Sequence, residues 1–204
     1  ENLQTSLVNY MEELKFTTAN KERIESELQI ARSIQMGMLP KSFPAFPERE
    51  DISLSAKLVP AKEVGGDLYD FLIKDEKLYF IIGDVSGKGV PASLVMAVTC
   101  RLFRSVASYI NKPEEIISSL NDSLADGNDS NMFCTAFIGI LCLKTGELKY
   151  CNAGHNAPLI VDPEGKISML DVKPNLPLGL FDGFPYEGQE TTISRNTMLY
   201  RRCN

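Results

Sequence analysis

The sequence predicts an α+β fold, with antiparallel sheets and separate helices behind one long N-terminal helix. Three observations carry that expectation. Residues 1–39 contain no Pro and no Gly before Gly37, and they hold a helical apolar seam. From Asp51 onward the apolar residues alternate with period two, in runs joined by short turns. The two later helical stretches follow one another instead of alternating with strands, which argues against a doubly wound parallel sheet.

The N-terminal helix runs over residues 1–39 and ends at Pro40. Leu7, Tyr10, Leu14, Thr17, Lys21, Ile24, Leu28, Ala31, Gln35 and Met38 fall on one a/d seam, interrupted around Thr17 and Lys21. At 1.5 Å per residue the helix is about 57 Å long. Two readings stand: a helix lying on its own domain, or a parallel coiled coil that makes a homodimer and joins it to an upstream sensor or receiver module. Residues 40–50, with Pro40, Pro44 and Pro47, form a linker, and residues 51–204 form the main domain.

Within that domain, Ile52, Leu54, Ala56 and Leu58 alternate as a strand. Strands follow over residues 67–73 and 77–85. Pro91 opens a helix that runs to about Ile110, and a second helix covers residues 112–126, with Pro113 near its start and Gly127 at its end. Residues 132–143, 148–152, 158–161 and 166–170 read as further strands, turned by Thr145-Gly146 and Pro163-Glu164-Gly165.

Composition narrows the function classes. The chain has 204 residues, is 44% hydrophobic and carries a net charge of −6, which disfavours nucleic acid or an anionic membrane as the main partner. No apolar run reaches the roughly 18–20 residues of a membrane span. The start at Glu1 has neither a basic n-region nor an initiating Met, so no signal peptide is expected and the chain reads as a piece of something longer. Five cysteines without CxxC spacing, beside a single His, point to reduced thiols in a cytoplasmic protein and away from a zinc site.

The stretch from Glu63 to Gly89 carries the chemistry. Folded symmetrically about Asp75-Glu76, it pairs Ile73 with Leu78, Phe71 with Phe80, Tyr69 with Ile82, and Asp67 with Asp84. An apolar ladder then ends in two carboxylates with Cβ atoms about 5 Å apart. Like charges at that place are destabilising, so either one carboxyl is protonated or a cation lies between them. Oxygen ligands of this kind suit Mg²⁺ or Mn²⁺, and the Val85 backbone carbonyl is the candidate for a further ligand. Glycines at 65, 66, 83, 87 and 89 allow close approach of a ligand or of backbone. Asp70 points to the opposite face. Gly83-Asp-Val-Ser-Gly-Lys-Gly89 has three residues before its Gly-Lys where a nucleotide P-loop needs four, which excludes that reading.

These blocks also carry a family resemblance. Val64-Gly-Gly-Asp-Leu-Tyr-Asp70, Gly83-Asp-Val-Ser-Gly-Lys-Gly89 and Pro91-Ala-Ser-Leu-Val-Met-Ala97 resemble the bacterial PPM-type serine/threonine phosphatases of the stage II sporulation protein E and RsbU group. So do Gln29-Ile-Ala-Arg-Ser-Ile-Gln-Met-Gly-Met-Leu-Pro40 upstream, and Asn152-Ala-Gly-His-Asn-Ala-Pro158 and Leu176-Pro-Leu-Gly-Leu180 downstream. The resemblance implies an α/β-β/α sandwich of two antiparallel sheets flanked by helices. It implies two-metal hydrolysis with Mn²⁺ or Mg²⁺, no covalent intermediate, and a phosphoprotein substrate such as a STAS-type anti-sigma-factor antagonist. By its motifs Asp67, Asp84 and the Val85 carbonyl hold metal.

Two further residues have open roles. His155 is a proton donor or phosphate contact, or its ring fixes a turn by hydrogen bonding. Lys88 attracts phosphate or is solvated. The family pattern continues after a strand like Thr197-Met-Leu-Tyr200 into a small residue and Asp-Gly, with another acidic motif on the last strand. Here Tyr200 is followed by Arg201-Arg-Cys-Asn204. With two of four family carboxylates present, the expectation is weak turnover and doubtful two-metal occupancy. The rival expectation is a non-catalytic dimeric module that binds a phosphoprotein.

Overall fold

The computed structural model describes residues 3–60, 62–201 and 203. Helix α1 spans Leu3–Met38. The hairpin β1 (Asp67–Lys74) and β2 (Lys77–Val85) follows, then helices α2 (Val90–Ala107) and α3 (Pro113–Ala125). Strands β3 (Cys134–Cys142), β4 (Glu147–Ala153), β5 (Leu159–Val161), β6 (Ile167–Met169), β7 (Gln189–Thr192) and β8 (Met198–Tyr200) complete the order. They form a five-stranded sheet, β1-β2-β3-β4-β7, and a three-stranded sheet, β6-β5-β8, both antiparallel. The α+β class with two antiparallel sheets and a long N-terminal helix is the class the chain adopts.

The period-two pattern divides the large sheet into two working faces. Leu68, Tyr79, Ile81, Val85, Cys134, Ala136, Ile138 and Ile140 point one way and are buried with Met96, Cys100 and Phe103 of α2 and Ile116, Ile117 and Leu120 of α3. Phe137, Leu148 and Tyr150 point the other way, with Phe80 and Ile82, and meet Leu170, Ile160 and Leu199 from the small sheet and its flank. Each fully buried side chain of this size contributes about 1.5–3 kcal/mol. Helices α2 and α3 therefore cover one face of the large sheet, and the small sheet covers the other. By length and composition α2 is apolar enough to span a membrane, yet its Met96, Thr99, Cys100, Phe103, Val106 and Ala107 are buried in this core.

Two details differ from the sequence expectation. Residues 51–60 keep their alternation, with Ile52, Leu54, Ala56 and Leu58 half-buried and their neighbours exposed, but they join no ladder among the described residues. Strand β7 was not expected, because Gln189, Glu190, Thr191 and Thr192 carry no apolar alternation. It is defined by its backbone pairing to β4.

The long helix divides its seam. Gln35 is its buried residue, while Leu28, Ala31 and Met38 are half-buried. Upstream, Leu7, Tyr10, Leu14 and Ile24 are exposed. The linker is held down: Phe43 and Phe46 sit 6.0 and 5.7 Å from the Phe71 ring, and the Tyr69 hydroxyl donates to the Pro40 carbonyl at 2.7 Å.

Candidate metal centre

The β1–β2 hairpin turns at Asp75 and Glu76, both with positive φ, 51° and 60°. That is the geometry of a two-residue turn whose twist matches the flanking strands. The ladder that results pairs Ile73 with Leu78, Phe71 with Phe80, Tyr69 with Ile82 and Asp67 with Asp84. The two carboxylates share the parity of Phe71 and Phe80, so they stand on the face turned toward the small sheet.

Asp67 Oδ1 is buried and has no hydrogen-bond partner among the described residues. Burial pushes the Asp67 carboxyl above the ordinary carboxylate range, with a smaller opposite pull from the Cys203 thiol. Burial also raises Asp84, and the charge of Asp67 raises it further. A buried, unpaired carboxylate oxygen beside a second carboxylate is the arrangement a hard divalent cation relieves.

The glycines shape this corner. Gly66 is buried, its carbonyl accepts from Val85 N–H at 3.3 Å, and a Cβ on it would lie 2.7 Å from the Val85 carbonyl oxygen. Only glycine lets the strand before Asp67 pass so close to Val85. Asp67, Asp84 and the Val85 carbonyl therefore gather at one end of the hairpin. The donor set is all oxygen and fits Mg²⁺ or Mn²⁺. Among the described residues no group of three or more His, Cys, Asp or Glu side chains converges.

His155 reaches the same end of the sheet because Gly154, before it, bridges to Ala136 of β3. Its ring is buried, with Nδ1 2.9 Å from Thr135 Oγ1. That hydroxyl donates to the Asp84 carbonyl at 3.2 Å, which assigns the imidazole hydrogen to Nδ1. The His155 carbonyl accepts from Asn152 Nδ2 at 2.8 Å. Burial, reinforced by the Arg201 charge, lowers the imidazole pKa to about 4, so the ring is neutral at pH 7. The Asn152 contact to its backbone carbonyl ties the turn that carries the ring.

Lys88 is exposed between Gly87 and Gly89, whose φ values are 88° and 72°. Asp70 lies on the opposite face, 1% exposed, and its Oδ1 accepts from Arg104 Nη2 at 2.6 Å. Sequence reasoning did not find two supporting residues, Thr135 and Gln35. Thr135 was legible only as the residue that the β2–β3 ladder sets opposite Asp84. Gln35 occupies a seam position, and its polarity on an apolar seam was the available signal.

The chain is similar to known proteins in sequence and in fold. The sequence model of the family described as Stage II sporulation protein E (SpoIIE) matches residues 74–201. The chain belongs to the SpoIIE family. It is 27% identical over 180 residues to phosphoserine phosphatase RsbU of Bacillus subtilis, covering 88% of this chain and 52% of that protein. A structure of the RsbU and RsbW domains of Rv1364c from Mycobacterium tuberculosis superposes with a TM-score of 0.61 at 26% identity, covering 68% of this chain and 38% of that one. The SiaA-PP2C domain of Pseudomonas aeruginosa shares the fold, with a TM-score of 0.72 at 18% identity over 88% of this chain and 71% of that one. The chain thus spans about half the length of RsbU.

Proposed function

We propose that this SpoIIE-family chain is a metal-dependent protein serine/threonine phosphatase domain. The observation that carries the reading is the opposed pair Asp67–Asp84 with its buried, unpartnered Oδ1. The similarity to a phosphoserine phosphatase supports it.

In this reading Asp67, Asp84 and the Val85 carbonyl hold Mn²⁺ or Mg²⁺. Such ions, when bound, supply the positive charge and the activated water that phosphomonoester hydrolysis needs. The chain does the rest by position. The β1–β2 register holds the carboxylates side by side, and Thr135 links the Asp84 carbonyl to a neutral His155. Exposed Lys88 draws the dianionic phosphate toward the site. The family resemblance implies direct attack by water, with no covalent enzyme intermediate.

The substrate class is a phosphoserine or phosphothreonine protein, a STAS-type anti-sigma-factor antagonist in a cytoplasmic signalling circuit. The exposed apolar residues Leu7, Tyr10, Leu14 and Ile24 of α1 support homodimerisation through that helix, beneath an upstream sensor or receiver. With two carboxylates converging among the described residues, turnover of this 204-residue chain is weak. Phosphate release from a phosphoserine protein, measured with Mn²⁺ and with EDTA, tests the proposal. Slow, EDTA-sensitive release supports it. Release that ignores EDTA, or none at any Mn²⁺ concentration, refutes catalysis by this site.

A second reading has its own observation. The absence of a third converging side-chain ligand among the described residues favours a non-catalytic dimeric module that binds a phosphoprotein. Phosphoprotein binding without turnover, unchanged by Mn²⁺, would select it.

A further inference from the structure

Gln35 is the buried residue of α1, and it is polar. Thirty residues separate it from Gly65, yet its carboxamide engages both backbone groups of that glycine. Nε2 donates to the Gly65 carbonyl at 2.6 Å, and Gly65 N–H donates to Oε1 at 3.2 Å. The same Nε2 lies 3.5 Å from Met96 Sδ on α2. The carboxamide therefore serves as a strand partner for a single residue of a segment that, among the described residues, has no other strand on that side.

That segment is the approach to Asp67. Gly66, next in the chain, is fastened on its other side, where its carbonyl accepts from Val85 N–H and where a Cβ would meet the Val85 carbonyl oxygen. Gly65 and Gly66 are the two residues with the least intrinsic backbone constraint. Without an external hold they would be the loosest part of the β1 entry. A side chain from α1 supplies that hold.

We infer that Gln35 is a positioning residue: it fixes the Gly65–Gly66 backbone from α1 and so sets the approach of Asp67 to Asp84 and the Val85 carbonyl. The consequence for metal rests on the phosphatase reading above. The hold on the backbone does not.

The test uses the whole chain with Gln35→Met, which keeps volume and apolar packing, and Gln35→Glu, which keeps one acceptor for Gly65 N–H. Ile34→Ala, an exposed neighbour, is the control. Amide hydrogen exchange of the metal-free protein reads the hold directly. Gln35→Met should speed exchange at Gly65, Asp67 and Val85 at least tenfold while exchange in β3 and β4 is unchanged. Gln35→Glu should fall between, and Ile34→Ala should match the parent. Mn²⁺ calorimetry then reads the consequence, at least tenfold weaker binding in Gln35→Met. Uniformly faster exchange across the sheet, or local exchange equal to the parent, overturns the inference. If the parent itself binds no Mn²⁺, the metal reading fails and the exchange result still decides the role of Gln35. If Gln35→Met does not fold, the comparison of Gln35→Glu with Ile34→Ala decides it.

Discussion

Asp67 and Asp84 are direct partners across the end of the β1–β2 ladder, and each is shifted toward its neutral form by its surroundings. Like charges placed opposite one another on adjacent strands cost up to about 1 kcal/mol. A raised carboxyl pKa means that the native state binds more protons than the unfolded one, so this contribution falls as pH rises through the native pKa. In metal-free protein at pH 7, Asp84→Asn should therefore raise Tm by about 2–4 °C. Calorimetric melting in EDTA checks it. A lower Tm would mean that the two carboxylates do not oppose each other.

Gly66 sits where a Cβ would meet the Val85 carbonyl at 2.7 Å. Backbone cannot retreat as a flexible side chain would. Gly66→Ala should destabilise the chain by about 1–3 kcal/mol and push Asp67 away from Val85. Urea unfolding reads the first effect, and loss of Mn²⁺ binding in the folded variant reads the second. Gly65→Ala, with Pro60 Cβ 3.9 Å away, should be milder.

His155 gives a pH signature. Its pKa is lowered to about 4 by burial, from an ordinary value near 6.5. Between those values the unfolded chain binds the proton and the native chain does not, so stability is lost as pH falls from about 6.5 to about 4. The full loss is about 3 kcal/mol by linkage. Asp67, Asp70 and Asp84 act in the opposite sense, so the comparison must be with His155→Gln. Urea midpoints at pH 7 and pH 4.5 should fall further for the parent than for the variant. Equal falls would contradict a buried neutral ring.

Asp70 is a structural carboxylate. Arg104 partners one oxygen, Phe71 N–H donates to the same oxygen at 2.8 Å, and Oδ2 is buried without a partner among the described residues. Removing Arg104 leaves an uncompensated buried charge. Because the Arg104 side chain is 41% exposed and solvent screens the pair, Arg104→Ala should cost about 2 kcal/mol, below the roughly 3–5 kcal/mol of a fully buried broken pair. Stability should recover partly between pH 7 and pH 4, because burial raises the Asp70 carboxyl and loss of the Arg104 partner raises it further. Melting at the two pH values checks both parts.

Where the sequence was legible, the reason was period and turn chemistry. Alternating apolar residues about Asp75-Glu76 determine one register, and that register alone puts Asp67 opposite Asp84. Residues 51–60 show the limit of the same reasoning: alternation records which side is covered, while a strand also needs a backbone partner. Strand β7 shows the converse, since Gln189–Thr192 is defined by hydrogen bonds to β4 and buries little. His155, Thr135 and Gln35 act through contacts far apart in sequence, and no local pattern reports those.

The central claim is that a divalent ion belongs between Asp67 and Asp84. Titration calorimetry with Mn²⁺ on the parent chain, Asp67→Asn and Asp84→Asn tests it most directly. The account predicts measurable binding to the parent and at least tenfold weaker binding to each variant, with both variants folded. Equal binding by all three proteins would contradict it.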